Sequence, residues 1–138
     1  MKNFLPFFWI LVLSFMGCTP LKERDLKKIE GYWMIDFVQA HGEVFQPKGS
    51  APAVDYYHFF DQNKGTKIKM TPLISGMYQR SEDQASFVIQ QIDNRFYLHF
   101  FDALTPWKEE IITLSENELV LFHQDKAYHY KRHQKINL

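Results

Sequence analysis

The chain has 138 residues, Lys plus Arg and Asp plus Glu balance at 16 each, and aromatic residues make up 17%. That length leaves room for one domain after a leader, and a neutral balance supplies no electrostatic footprint for nucleic acid, which is excluded as a partner. With one cysteine no internal disulfide can form, so the fold must stand on a core that buries about two thirds of the unfolded surface.

Met1-Lys2-Asn3 is a short positive start, Phe4 to Met16 is almost unbroken apolar sequence, and Gly17-Cys18 follows. This three-part layout predicts a secretory signal peptide over residues 1–17. A membrane-spanning helix needs roughly 20 apolar residues, and this run is shorter and carries Pro6. Phe15-Met16-Gly17-Cys18 resembles the lipobox of bacterial lipoproteins. The resemblance implies that Cys18 is lipidated on sulfur with an acyl chain such as palmitate and becomes the new N-terminus. In that family an aspartate after the cysteine retains the protein at the inner membrane; Thr19 in that place implies the outer membrane. The expected localisation is therefore the bacterial cell envelope, with the membrane as partner through an N-terminal lipid. Burial of acyl chains contributes about 0.8 kcal/mol per CH₂, and more than one chain anchors stably.

Residues 18–30 read as a tether and short helix: Asp25 is a candidate cap, Leu26 and Ile29 share a face, and Gly31 ends the helix. Residues 31–138 read as the folded domain. The first strand is predicted from Tyr32 to Ala40, because Trp33, Ile35 and Phe37 alternate with other residues. His41-Gly42 is a turn and Lys48-Gly49-Ser50 a loop. Val54 to Phe60 is a strand by its Tyr and Phe content. In Thr66 to Met70 the lysines are expected outside, with Ile68 and Met70 inside. A strand over Met77 to Arg80, a turn at Glu82-Asp83 and a strand to Ile92 follow. Asp93-Asn94 reads as a hairpin turn. Phe96, Leu98 and Phe100 form the next inward row, and Trp107 to Leu114 another strand. After turns at Ser115 to Asn117 and Gln124 to Lys126, the last strand puts Tyr128, Tyr130 and Arg132 on one face. About eight short strands with short turns predict an all-β fold, a small up-and-down antiparallel barrel with a short N-terminal helix.

Gly31-Tyr32-Trp33, opening a meander of strands, resembles the G-x-W entry of the lipocalins, most of all the small lipocalin-like lipoproteins of bacteria. The resemblance implies that Trp33 packs across the closed end of the barrel behind a short helix. It also implies that Arg132, on the last strand, stacks on it, so that Gly31, Trp33 and Arg132 close the barrel.

An eight-stranded barrel is either filled by its own side chains or holds one small ligand. The candidate liners are Phe37, Ile68, Met70, Phe87, Ile89, Phe96, Leu98 and Phe100. No G-x-S-x-G, H-E-x-x-H or phosphate-binding glycine loop is present. Glu109 and Glu110 are adjacent, point to opposite faces of a strand and read as solvated charges. His123, His129 and His133 have no ligand spacing for a metal. The expectation is therefore a non-enzymatic, cofactor-free protein, and the resemblance to the lipocalins implies that it binds a small apolar ligand. The alternative is an interaction lipoprotein with a filled barrel that presents Phe45 to Val54 and Phe101 to Trp107 to another envelope protein.

Overall fold

Side-chain alternation carries the chain through nine antiparallel strands: β1 (Gly31–Ala40), β2 (Glu43–Phe45), β3 (Val54–Phe59), β4 (Lys64–Pro72), β5 (Tyr78–Ile92), β6 (Arg95–Phe100), β7 (Trp107–Leu114), β8 (Glu118–His123) and β9 (Lys126–Arg132). The structure, a computed structural model, describes residues 20–48 and 53–134. The leader, Cys18 and Gly49-Ser50 of the predicted loop lie outside the described residues. Each strand from β3 to β9 pairs with the next, and β1 pairs with both β3 and β9. The β1–β9 pairing closes an eight-stranded up-and-down barrel, and β2 is a short flap hydrogen-bonded to the far half of β1. His41-Gly42, Asp93-Asn94 and Gln124-Asp125 all have positive φ at both central residues, the backbone of the primed hairpin turns that match strand twist.

Because strand direction alternates, the N-terminal helix and the β3–β4, β5–β6 and β7–β8 turns gather at one end, the closed end. The β1–β2, β4–β5, β6–β7 and β8–β9 connections gather at the other, the open end. The helix is a 3-10 helix over Glu23–Ile29. Side chains three apart eclipse in such a helix, so Leu26 and Ile29 stack on one side, and both are buried in the cluster that holds Phe59 and Phe96. Its start differs from expectation: Lys22 occupies the cap position without a side-chain cap bond, and Asp25 pairs with Lys28 at 3.4 Å.

Two irregularities change which face a residue takes. Between Ile35 and Phe37 the β1–β9 register shifts, and the extra residue reverses the alternation beyond it. Phe37 therefore lies opposite His129 on the outer face and stacks on that imidazole at 4.1 Å. On β5, Ile68 faces Gln84 but Met70 faces Arg80, so three residues oppose one. The predicted turn at Glu82-Asp83 is this bulge, in which the Asp83 amide donates to Ser81 Oγ at 3.1 Å. The turn-forming residues bend one 15-residue strand and do not divide it.

β4 is inverted relative to its predicted orientation. Gly65 is turned inward, where a Cβ would sit 2.7 Å from Phe87 Cζ and collide with the His58 carbonyl; only glycine fits there. Lys67 and Lys69 follow it onto the inner face by period 2. Ile68 and Met70 lie on the outer face in a second apolar cluster with Val54, beside Tyr32, Met34, Tyr56 and Tyr78. Tyr32 stacks on Tyr56 at 4.5 Å and on Tyr78 at 4.1 Å, and the Tyr78 hydroxyl meets His133 Nδ1 at 2.5 Å. Amphipathic alternation fixes that a strand has two faces; it does not say which is inside when the outer one is roofed by tyrosines.

Candidate binding site

The closed end is sealed from the residues upward. Trp33 has no exposed surface, and its indole Nε1–H donates to the Ile29 carbonyl at 2.7 Å. Arg132 is its cross-strand partner and lies over the indole ring at 4.1 Å. The same guanidinium donates to three backbone carbonyls, those of Glu116 (2.5 Å), Glu30 (2.9 Å) and Lys28 (2.5 Å). Burial lowers its pKa from the ordinary value, partly offset by the Glu116 carboxylate. Gly31 sits at φ +126°, and a Cβ there would come 2.5 Å from Arg132 Nη1. The helix end, the first strand, the β7–β8 turn and the last strand thus meet on one cation.

Above this seal the inner half of the barrel is packed. Phe59, Phe87, Ile89, Phe96, Leu98 and Phe100 are buried in one cluster with Trp33, Leu26 and Ile29. Phe87 meets Phe59 edge-on at 5.6 Å and Phe100 at 5.9 Å. Five of the eight candidate liners, Phe87, Ile89, Phe96, Leu98 and Phe100, therefore face inward as core. The other three, Phe37, Ile68 and Met70, are on the outer face for the reasons given above, and no interior ligand can touch them.

Polar groups also point into the interior, and fully buried Tyr57 belongs to the packed cluster itself. Asp55, Tyr57 and Lys67 lie on the inner faces of β3 and β4, where Tyr57 and Lys67 are cross-strand partners. Lys67 Nζ is 3.8 Å from the Asp55 carboxylate, 5.5 Å from the Phe100 ring centre and 6.0 Å from that of Tyr57. Glu109 is opposite Leu98. Directly opposed residues share a face, so Glu109 shares the inner face of fully buried Leu98. Its neighbour Glu110 pairs outside with Arg95 at 3.7 Å, so the expectation of two solvated charges fails for both. Trp107 stacks on Phe100 at 4.6 Å. With Asp55, Lys67, Lys69, Asp83 and Ala85 it lines a recess of about 240 Å³. Lys69 pairs with Asp83 across this recess at 3.7 Å. A second recess, of about 470 Å³, opens at the same end between Val38, Ala40, Phe45 and Tyr128, with His41, Glu43 and Lys126 around it.

Two groups of the interior are incomplete. The Tyr57 hydroxyl and Glu109 Oε2 are buried and have no hydrogen-bond partner. A buried polar atom left unpaired costs about 1–3 kcal/mol. Burial first, then the Glu109 and Asp55 carboxylates, holds the Tyr57 hydroxyl well above the usual phenol range. Tyr130, next along the inner face of β9, is pushed up in the same way by burial, Asp55 and Glu109. The pattern that places Glu109 inside is present in the sequence: Trp107, Glu109 and Ile111 share one parity, and two of the three are large and apolar. The three C-terminal histidines are apart: His123 meets the Lys108 carbonyl, His129 meets Gln39 and His133 meets Tyr78.

No established protein family matches this sequence, and no curated protein does. Among solved structures, the chain is similar to a lipocalin-like protein from Bacteroides uniformis ATCC 8492, at 10% identity and a TM-score of 0.47 over 77% of this chain and 99% of that one. It is similar to the same degree, 10% identity and a TM-score of 0.47, to an uncharacterized protein from Bacteroides eggerthii DSM 20697, over 75% of this chain and 98% of that one.

Proposed function

We propose that this protein is a lipid-anchored carrier of the bacterial envelope, held to the outer membrane through Cys18, that binds a small molecule in the open half of its barrel without transforming it. One observation carries the binding reading: the Tyr57 hydroxyl and Glu109 Oε2 are buried in the interior with no partner, and inward-facing Lys67, the cross-strand partner of Tyr57, lines an open recess. A solid structural barrel gains nothing from such groups, since an apolar pair of the same shape avoids their cost. The apolar ligand implied by the lipocalin resemblance would carry a polar end, because the recess beside Trp107 is lined by Asp55, Lys67, Lys69 and Asp83.

The test is native mass spectrometry of the protein purified from its own host. A retained small molecule, lost on partial unfolding, is the expected result; a clean apo mass under gentle conditions refutes the carrier reading. For the anchor, Cys18→Ser should abolish the acyl mass increment and release the protein from the membrane fraction, and unchanged mass and fractionation refute it.

A second reading has its own support. Val44, Phe45, Ile74, Met77, Phe101 and Leu104 are all exposed and belong to β2 or to the open-end loops. A rim of this kind suits an interaction lipoprotein that meets another envelope protein at that end. A stable co-purifying protein lost on Ile74→Asp and Leu104→Asp, together with a clean apo mass, favours it over the carrier.

A further inference from the structure

We propose that the ligand is a small zwitterion, an amino acid with an apolar side chain, held in the recess beside Trp107 with its carboxylate on Lys67 and Lys69, its ammonium on Asp55 and its apolar body against the indole. The proposal rests on the carrier reading and adds the seat and the chemical class of the ligand.

These four side chains line one recess, together with Asp83 and Ala85. Lys67 and Lys69 are two apart on the inner face of β4, and Asp55 is the cross-strand partner of Lys69. Asp55 pairs with Lys67, and Asp83 with Lys69. The wall therefore alternates in sign from the rim inward: Asp83, Lys69, Asp55, Lys67. Side-chain exposure falls along it, from 74% and 51% for Asp83 and Lys69 to 12% and 21% for Asp55 and Lys67. The inner pair is mostly shielded from water and still open to the recess. The two ion pairs are 3.8 and 3.7 Å long, beyond the roughly 2.7–3.2 Å of a hydrogen bond. The ions thus neutralise one another without spending donors or acceptors on one another.

Neutrality selects the class. Two positive and two negative groups line the recess, so a ligand with net charge of either sign leaves one charge over in a half-enclosed space, where charge is costly until it is paired. A neutral ligand keeps the balance but replaces the water on four ions with weaker bonds than charged partners make. A zwitterion keeps the balance and meets each sign with its opposite. Lys67 and Lys69 stand roughly 7 Å apart along the strand, a spacing that their long stems can close around one carboxylate, with Asp55 beside it for the ammonium. Trp107 and Ala85, both packed on the core, supply an apolar wall for the rest of the ligand. The recess of about 240 Å³ is smaller than the roughly 300–1,000 Å³ of sites for drug-sized molecules, so the ligand is compact.

The experiment is calorimetric titration of the purified full-length protein with phenylalanine, with phenethylamine, which lacks only its carboxylate, and with 3-phenylpropionate, which lacks only its ammonium. Methyl glucoside serves as a neutral, hydroxyl-rich probe. Phenylalanine should bind about tenfold tighter than any of the other three, since each charged group it adds finds a partner. Lys69→Met should weaken phenylalanine and 3-phenylpropionate about fivefold or more and leave phenethylamine no weaker. Asp55→Asn should weaken phenylalanine and phenethylamine and spare 3-phenylpropionate, a crossed pattern that a general loss of structure does not give. Lys69 is half exposed, so its variant keeps the seat testable if Asp55→Asn folds poorly. A phenylalanine advantage that survives Lys69→Met overturns the seat. Phenethylamine, 3-phenylpropionate or methyl glucoside binding as tightly as phenylalanine overturns the zwitterion class and leaves the carrier reading standing. Binding of none of the four overturns the zwitterion proposal, and the retained-ligand measurement then decides the carrier reading by itself.

Discussion

Arg132→Ala should cost about 3 kcal/mol of folding stability. The side chain donates to three backbone carbonyls and covers the Trp33 ring. Net hydrogen bonds contribute about 1 kcal/mol each, more when the donor is charged and less when the acceptor regains water. The carbonyls of Glu30 and Glu116 belong to exposed residues, so the lower value applies to them. Stacking on the indole adds about 0.5–1 kcal/mol, and shared geometry makes the sum less than additive. For a domain of this size, with stability on the order of 5–15 kcal/mol, the loss corresponds to a fall in Tm of roughly 12 °C. Urea denaturation followed by circular dichroism measures it, and an unchanged m-value would show that the folded and unfolded states keep their compactness. Arg132→Lys retains the charge but not the planar fork that reaches several carbonyls at once, so it should recover less than half of the loss. A loss below about 1 kcal/mol for Arg132→Ala, the range of ordinary surface changes, would refute the claim that this cation ties the four segments together.

Ile68→Ala, on the outside of the barrel, should cost about 2–4 kcal/mol, as in a core, because Ile68 is only 6% exposed; a urea midpoint within error of wild-type would show that the tyrosine roof does not bury it. Alkaline stability should fall steeply. Tyr57 and Tyr130 have folded pKa values above the unfolded phenol value, so above about pH 10 the unfolded chain loses protons that the folded one keeps. Their contribution is complete below that pH and is lost as pH rises toward the folded values, at up to about 1.4 kcal/mol per pH unit for each tyrosine. Urea midpoints between pH 9 and 11 measure the slope, Tyr57→Phe should reduce it, and a flat profile would refute the interior placement of these hydroxyls.

The barrel was legible in the sequence because its strands are short, alternating and separated by residues that accept positive φ, as at His41-Gly42 and Asp93-Asn94. What was not legible was the direction of each face. Lys67, Ile68, Lys69 and Met70 alternate cleanly, yet the lysines point in, since Gly65 must face the Phe87 ring and sets the frame for the residues after it. Phe37 fell on the wrong side for a related reason: Trp33, Ile35 and Phe37 look continuous, but Asp36 is an extra residue in the ladder with β9. Ser81-Glu82-Asp83 has turn chemistry, and a bulge uses the same chemistry to bend a strand without ending it. The inward placement of Glu109 was missed through one assumption, that adjacent glutamates on a strand are solvated. The inward parity shared by Trp107, Glu109 and Ile111 was the available signal against it.

The seam where the first and last strands meet is insulated on both sides, by the indole and guanidinium within and by the stacked phenol rings without. Water has no short route to the amides between Gly31 and Met34. Their protons should therefore leave only when the whole domain comes apart. The join between chain beginnings and ends, in many proteins the first place to fray, is here the last to let go.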